Sequence, residues 1–188
     1  MIRRFLVLAA LAALAPTVAS AAPPAWTVDK AASRLTFSSS LSGKAFTGNF
    51  RSWDAVIHFD PKDLAHSDVA ATIDVASAAT GSGDRDALLP DEDWFWISHF
   101  PQATFVAHSF QADGPGLYRA PGVLTIRGVA KPLTLPFNLA ITGASAKMSA
   151  QVVLDRLAFG VGQGQWKATD SVPAGVTVHI DLTARRAP

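Results

Sequence analysis

The side chains with the greatest chemical capacity are concentrated in one stretch, residues 81–105. It contains five carboxylates and one imidazole, and the candidates for a metal or hydrolytic site among them are Asp86, Asp91, Glu92 and His99. Such groups together bind divalent metals, and a bound metal activates water for hydrolysis. None of the five histidines of the chain, however, stands in an H-x-H or H-E-x-x-H arrangement. The alternative is that the acidic side chains cap short helices, because a helix start favours negative charge.

Arg85 and Asp86 are neighbours in the same stretch and have two interpretations. The planar guanidinium of Arg85 suits the oxygens of a phosphate or carbonyl group on a ligand. Alternatively, the two side chains pair with each other and hold the stretch in place. We favour the pairing, because an adjacent carboxylate competes with a ligand for the guanidinium.

The sequence lacks the motifs of several other classes of protein. There is no G-x-S-x-G nucleophile motif. The glycines of GVGQGQ, residues 160–165, follow a strand without a succeeding helix pattern, so they do not indicate a dinucleotide site. The absence of cysteine excludes thiol catalysis and thiolate metal sites. We therefore assign no catalytic residue, no metal ligand and no cofactor.

The first residues have the order of a secretory signal peptide: a basic start, an apolar run and a small-residue site that ends at Ala21. We predict a signal peptide over residues 1–21 and one mature domain over residues 22–188. The apolar run is shorter than the ~20 residues that a membrane span needs. Loss of Arg3 and Arg4 leaves 14 of the 16 basic side chains against 15 acidic ones, a net charge of −1. A near-neutral surface gives no reason to expect nucleic acid as a partner.

Most of the remaining chain alternates apolar and polar residues with period two, which is typical of strands. The segments that show this most clearly are DVAATIDVAS, KPLTLPFNLAI, AKMSAQVVLDR and GVTVHIDLTA. Roughly eight or nine such segments are joined mostly by short turns, which leave no room for helical crossovers. The pattern predicts an all-β antiparallel protein, either a sandwich or a closed barrel.

The stretch 81–105 is the main interruption between these strands, and it contains the helical candidates. Asp84 is predicted to cap a short helical turn over residues 85–89. Asp91 is predicted to cap a second over residues 92–97. The aromatic side chains of the stretch would then cover an apolar interior.

The order and spacing of four segments make the chain similar to the YceI-like family of secreted proteins. The segments are WTVDKAASRLTF, AFTGNFRSWDAVIHFDP, DWFWISHFPQATF and GVLTIRGVAKPLTLPF. A fifth segment, RLAFGVGQGQW, resembles the variety of the family that is associated with a b-type membrane cytochrome. The resemblance covers the chain from Trp26 to about Ala184.

The resemblance implies a lipocalin-like, antiparallel, eight-stranded barrel with short helical insertions near its mouth. It implies an apolar tunnel that holds an isoprenoid lipid, such as ubiquinone or a prenyl phosphate, in a protein of the bacterial periplasm. Catalysis is not an established theme of the family, so the resemblance implies a binding protein and not an enzyme. Leu41 stands near the place where many relatives carry a histidine, which implies a different lipid head or none.

On this interpretation, one set of side chains forms the walls of the tunnel and another forms a lid. The predicted wall residues are Phe37, Phe46, Phe50, Ile73, Phe105, Leu135, Phe137 and Met148. The predicted lid residues are Leu88, Leu89, Trp94 and Phe95, with Arg85 as a further ligand-binding candidate. An apolar tunnel needs only a few placed polar groups at the head of its ligand.

Other functions stay open at the level of sequence. The chain is alternatively a redox or docking partner of a membrane b-type cytochrome, or a metal-dependent hydrolase built on the acidic residues and His99. A third alternative is a barrel with a solid core that acts only through its surface. A homodimer is also open. The feature that separates these alternatives is whether the interior is hollow.

Overall fold

The structure is a computed structural model that describes residues 22–188, so the predicted signal peptide lies outside the described residues. Within that range, twelve strands form one sheet. The strands are β1 (Ala25–Val28), β2 (Arg34–Leu41), β3 (Lys44–Phe50), β4 (Trp53–His58), β5 (Asp68–Asp74), β6 (Ala78–Ala79), β7 (Gln102–Ala107), β8 (Gln111–Gly114), β9 (Leu117–Ile126), β10 (Val129–Thr142), β11 (Ser145–Asp155) and β12 (Gly175–Arg186). One short α-helix, α1 (Gly83–Leu88), lies between β6 and β7.

Eight of the strands close into an antiparallel barrel. The order around the ring is β1-β4-β5-β7-β9-β10-β11-β12, and the far end of β12 pairs back onto β1, with Trp26 opposite Arg186. The near end of β12 pairs instead with β2, which is followed by β3 and β6, and β8 pairs with β9. The prediction of an all-β, antiparallel, eight-stranded barrel is confirmed, with four additional strands, and the sandwich alternative is wrong.

The period-two pattern directs one apolar row of each long strand into the barrel. On β10 the inward row is Leu133, Leu135, Phe137, Leu139 and Ile141, and the residues between them from Thr134 to Ala140 are exposed. Each inward side chain leaves water on folding, which contributes roughly 25 cal/mol per Å² of apolar surface. The alternation therefore fixes which face of each strand points inward, because a shift by one residue would exchange the two faces.

The turn between β9 and β10 shows how local sequence fixes this register. Arg127 and Gly128 both have positive φ, 53° and 73°. Two such residues form a type I′ turn, whose twist matches that of the strands it joins. Glycine suits the second position for a further reason, since a Cβ there would meet the ring of Phe100.

Two insertions extend the barrel at one end, and we name them by their residues. The first lid segment is residues 81–100, between β6 and β7, and it contains α1. The second lid segment is residues 156–174, between β11 and β12, and it contains two short 3-10 helices. These are the short helical insertions that the resemblance implies. No helix within residues 22–188 is long and apolar enough to span a membrane.

The helix predicted over residues 85–89 is present but begins earlier. It starts at Gly83, with Ser82 as the N-cap, and Asp84 lies in its first turn instead of at the cap. The carboxylate of Asp84 still stands near the positive end of the helix dipole. The pattern identified the helix correctly and misplaced its start.

The second helix, predicted over residues 92–97, is wrong. The chain forms a run of tight turns there, in which the backbone N–H groups of Trp94 and Trp96 both donate to the carbonyl of Asp91, at 3.0 and 2.9 Å. Trp96 has φ of 51°, which a continuous right-handed helix does not contain. The acidic residues 91–93 therefore lie in turns and do not begin a helix.

Gly48 on β3 allows the ring of Phe37 to lie directly against the strand. A Cβ at this position would stand 2.8 Å from the carbonyl oxygen of Ala79 and would also overlap the ring. We expect Gly48→Ala to lower the free energy of unfolding by ~1–3 kcal/mol, the usual cost of overpacking. Gly83→Ala is the control, since its Cβ would meet nothing within 4 Å. Urea denaturation measures both, and equal stabilities would contradict the expectation.

Candidate ligand-binding site

The inward rows of the ring enclose a cavity of about 230 Å³, which we name the barrel cavity. All the residue types along its wall are apolar. The wall includes small side chains, such as those of Ala55, Ala71 and Ala103. Because these side chains are short, part of the interior stays empty. The indole N–H of Trp26, which is also on the wall, already donates to the carbonyl of Phe59 at 2.9 Å. This wall suits a hydrocarbon and offers no recognition of polar groups along its length.

An aromatic cluster packs at the part of the barrel cavity that lies away from the lid segments. It consists of Phe59, Phe110, Tyr118 and Phe137. The ring centroids of Phe59 and Phe110 are 5.1 Å apart at 90°, and Tyr118 stacks on Phe137 at 5.5 Å. Each such pair contributes ~0.5–1.5 kcal/mol beyond its buried area. The cluster therefore makes this end of the barrel well packed.

A second cavity of about 170 Å³ lies beneath the two lid segments, and we name it the lid cavity. Most of its wall is apolar, but it also includes the polar residues Ser39, Thr80, Arg85 and Arg156. Leu41 is on the same wall. These polar residues belong to the wall of the lid cavity, but the surface that faces the cavity is almost entirely apolar, as in the barrel cavity.

The two cavities adjoin. Five side chains line both of them, namely Phe50, Phe95, Ile126, Leu154 and Val178. Together the cavities provide about 400 Å³, within the roughly 300–1,000 Å³ of small-molecule sites. The interior is therefore hollow, which removes the solid-core alternative.

Every residue that the sequence analysis assigned to the ligand lies on a cavity wall. Ile73, Phe105, Leu135, Phe137 and Met148 line the barrel cavity. Phe37, Phe46, Arg85, Leu88, Leu89 and Trp94 line the lid cavity, and Phe50 and Phe95 line both. The structure thus brings the predicted walls and the predicted lid together around one hollow interior. Their contact with a ligand stays a prediction.

The sequence analysis missed the second lid segment as part of this site. Arg156, Phe159, Val161, Trp166 and Val172 all line the lid cavity. These residues follow the first lid segment by more than fifty positions, and no short-range pattern connects the two. The available signal was the break in alternation after β11, at the glycines of residues 160–165.

The two lid segments are joined by backbone hydrogen bonds and by an aromatic contact. The carbonyl of Asp93 accepts hydrogen bonds from the N–H groups of Gly162 and Gln163, at 2.8 and 2.7 Å. Next to them, the rings of Trp94 and Trp166 pack with centroids 5.4 Å apart. The segments therefore form one cover over the lid cavity.

Arg85 and Asp86 do not pair directly, so the predicted salt bridge is wrong. Both bind the buried Thr80 instead. Arg85 donates through Nε to the Thr80 hydroxyl at 3.1 Å and through Nη2 to its carbonyl at 3.0 Å. Asp86 Oδ1 accepts from the same hydroxyl at 2.6 Å and from the Thr80 N–H at 2.7 Å. Side chains of adjacent residues in a helix point in different directions. Thr80 accepts hydrogen bonds from Arg85 and donates hydrogen bonds to Asp86.

This arrangement has an electrostatic consequence. The hydrogen bond from the Thr80 hydroxyl, more than any other contact, holds the pKa of the Asp86 carboxyl below its usual value. The guanidinium of Arg85 also lies 4.4 Å from the centre of the Phe46 ring, at cation–π distance. Arg85 is thus fixed on two sides, and its role in pinning the first lid segment is supported through Thr80.

Arg156 organises the second lid segment from within. The residue is only 5% exposed. Its guanidinium donates to five backbone carbonyls, those of Val161, Gly162, Trp166, Val172 and Pro173, at 2.7–3.3 Å. Burial lowers the pKa of the guanidinium from its usual value, although arginine remains protonated at neutral pH. One side chain therefore gathers carbonyls from a stretch that has little regular structure of its own.

Two polar atoms near the lid cavity have no hydrogen-bond partner among the described residues. They are the indole Nε1 of Trp94 and the hydroxyl Oγ of Ser39, and both are buried. An unpaired buried donor costs ~1–3 kcal/mol. Native proteins keep few such atoms, so each requires an explanation.

The residues proposed for a metal site are not brought together. Within residues 22–188, no three side chains of His, Cys, Asp or Glu lie close enough to hold a metal ion. Asp86 binds Thr80, whereas His99 is exposed and packs against Trp96, with 4.1 Å between the ring centres. The described part of the chain therefore lacks the ligand set that the hydrolase alternative requires.

Comparison with known sequences identifies the relatives of this chain. Residues 26–184 match the family model of the YceI-like domain. Protein YceI of Escherichia coli O17:K52:H18 is 38% identical over 92 residues, which cover 49% of this chain and 48% of that protein. The chain thus spans about half the length of the curated relatives it matches at that identity.

Solved structures show the same barrel. BcnA of Burkholderia cenocepacia superimposes with a TM-score of 0.80 at 34% identity, covering 83% of this chain and 98% of BcnA. A domain from Saccharophagus degradans superimposes with a TM-score of 0.71 at 17% identity, covering 87% of this chain and 99% of that domain. The latter is described as a polyisoprenoid binding domain implicated in plant cell wall breakdown. At 17% identity the likeness shows the fold alone.

Proposed function

This chain belongs to the YceI-like family, and we propose that it is a binding protein that holds an isoprenoid lipid inside its barrel. The observation that carries the proposal is the barrel cavity, whose wall is apolar throughout. An isoprenoid tail is a long hydrocarbon, and each CH₂ group removed from water contributes ~0.8 kcal/mol. The Saccharophagus degradans domain, described as polyisoprenoid-binding, supports this class of ligand.

The proposed place of action is the bacterial periplasm. The signal-peptide pattern of residues 1–21 supports export, and the absence of cysteine means that no disulfide is needed for folding there. An isoprenoid that leaves a membrane must be shielded from water along most of its tail. A hollow barrel with a cover supplies that shield, with ubiquinone-like and prenyl-phosphate lipids as the proposed ligands.

We propose that the lipid is held and not converted. The charged side chains on the wall of the lid cavity already serve the fold. Arg85 binds Thr80, and Arg156 binds backbone carbonyls of the second lid segment. These groups are engaged with protein acceptors, as expected of a cover and not of an acid or base poised for proton transfer.

A redox or docking partnership with a membrane b-type cytochrome stays a prediction, as does a homodimer. The segment that motivates the cytochrome, residues 156–166, has two parts in the structure. Val161 and Trp166 line the lid cavity, while Gly164 and Gln165 are exposed. The exposed part is where a cytochrome would make contact.

A pair of substitutions on one strand tests the lipid-binding proposal. Ala71 lies on the wall of the barrel cavity, while its neighbour Ala70 points outward and is exposed. We expect Ala71→Trp to fill the cavity and to remove most of the lipid that co-purifies with the protein. Ala70→Trp is the matched control and should retain the lipid of the wild type. The measurement is organic extraction of natively purified protein followed by mass spectrometry.

Both variants are expected to fold. In Ala71→Trp the new indole enters open space beside Ala55, the residue on β4 that pairs with position 71. It therefore does not displace packed side chains. Circular dichroism and the thermal midpoint check this. An extract of the wild type that contains no isoprenoid, even after incubation with ubiquinone, would count against the proposed function. Equal lipid content in the two variants would count against the barrel cavity as its place.

A further inference from the structure

We infer that the hollow interior accepts an isoprenoid tail of only about three units, and that the aromatic cluster of Phe59, Phe110, Tyr118 and Phe137 sets this limit. The inference rests on the proposed function, because it defines which isoprenoids the same interior holds. Its first support is volume. A cavity of ~150 Å³ takes one benzene molecule, which has six carbon atoms. On that scale the about 400 Å³ of the two cavities takes ~16 carbon atoms, and one isoprene unit has five.

The second support is that the interior ends at packed rings on the side away from the lid segments. Strand β9 connects the two ends: Ile126 at its last position lines both cavities, and Tyr118 near its start belongs to the aromatic cluster. Phe59 and Phe110 line the barrel cavity and are only 5% and 8% exposed. The backbone N–H of Phe110 donates to the carbonyl of Leu64 at 2.9 Å, which holds this residue against the loop between β4 and β5. The end of a tail therefore meets a well-packed wall.

The third support is that hydrogen bonds restrict the interior at the lid end. The carbonyl of Asp93 in the first lid segment accepts from the N–H groups of Gly162 and Gln163 in the second. Arg156 donates to five backbone carbonyls of the second segment and fixes it from within. The interior encloses a longer tail only if these hydrogen bonds break. Isoprene units beyond the limit therefore stay outside and expose their carbon atoms to water.

Prenols in phosphatidylcholine vesicles test the limit, because they share one hydroxyl head and differ only in tail length. The probes are farnesol, geranylgeraniol and solanesol, which have three, four and nine isoprene units. A bilayer already shields the tail, so transfer to the protein costs at least about tenfold in affinity for each unit left in water. We expect the wild type to bind farnesol at least about tenfold more tightly than geranylgeraniol, and to leave solanesol in the vesicles. Flotation separates the protein from the vesicles, and organic extraction with mass spectrometry measures the bound prenol.

Phe110→Ala is the variant that moves the limit. It removes six carbon atoms from the closed end of the barrel cavity, which makes room for one further isoprene unit. The ratio of bound geranylgeraniol to bound farnesol should rise by about tenfold. Phe110→Leu removes three carbon atoms and should raise the ratio less. The matched control is Phe100→Ala, which removes the same six carbon atoms from a ring that packs against Trp96 outside both cavities. Its ratio should stay within about twofold of the wild type, because the interior is unchanged.

The thermal midpoint shows whether each variant folds, and Phe110→Leu provides the test if Phe110→Ala does not fold. Binding of geranylgeraniol or solanesol to the wild type as tight as that of farnesol would overturn the inference. An unchanged ratio in the folded variants of Phe110 would do the same. In both cases the bound prenol would still uphold the proposed function. Failure of all three prenols to bind the wild type would refute the proposed function itself.

Discussion

Replacement of Arg156 by methionine is expected to lower the free energy of unfolding by at least ~3 kcal/mol and to detach the second lid segment from the barrel. The guanidinium is the shared donor for five carbonyls between Val161 and Pro173. Methionine fills a similar volume but donates no hydrogen bond, so these carbonyls lose a partner and can reach water only if the segment leaves the barrel. Urea denaturation measures the loss, and hydrogen exchange across residues 156–174 locates it.

Two further substitutions sharpen this test. Arg156→Lys keeps the charge but provides a single ammonium with three donors, so it should recover only part of the loss. Arg127→Met is the matched control, because Arg127 donates one hydrogen bond, to the carbonyl of Gly160, from outside the network. Its cost should be about 1 kcal/mol. If Arg156→Met and Arg127→Met are equally stable, the carbonyls around Arg156 find other partners and the organising role is wrong.

The barrel was predictable because its signal is local and repeated. Alternation along β5, β10, β11 and β12 assigns each side chain to a face, and burial of the apolar face needs no knowledge of distant residues. The same pattern predicted the wall residues, and Leu135, Phe137 and Met148 do line the barrel cavity. The closure of β12 onto β1 was not visible in the pattern and came from the family resemblance.

The lid was predictable only in part, because its contacts are not local. The acidic run before Trp94 favours helix starts by propensity, yet the positive φ of Trp96 and the carbonyl of Asp91 shape it into turns. Arg85 and Asp86 are neighbours in sequence, and Thr80 decides their geometry. Likewise, nothing in the sequence near residue 156 shows that its arginine is buried. These hydrogen bonds depend on which segments of the chain come together. The barrel beneath the lid segments determines which segments do so.

Replacement of Phe137 by aspartate is expected to cost more than ~5 kcal/mol, a large share of the roughly 5–15 kcal/mol that stabilises a typical domain. Phe137 is 7% exposed and packs against Phe59, Phe110 and Tyr118 at centroid distances of 5.5–6.5 Å. The substitution removes this cluster and places a carboxylate on an apolar wall. We expect loss of bound lipid together with loss of cooperative unfolding, measured by extraction and by urea denaturation.

Two controls separate the charge from the lost volume. Asn138→Asp places the same carboxylate on the exposed neighbouring position of β10 and should be nearly silent. Phe137→Leu keeps an apolar side chain and should cost only ~1–2 kcal/mol. A buried carboxyl has a raised pKa, so the native state binds the proton more tightly than the unfolded state. The deficit of Phe137→Asp should therefore shrink as the pH falls towards about 4, the ordinary pKa of aspartate, and grow as the pH rises. A deficit independent of pH would mean that the new carboxylate reaches water, and that β10 does not present residue 137 to the cavity.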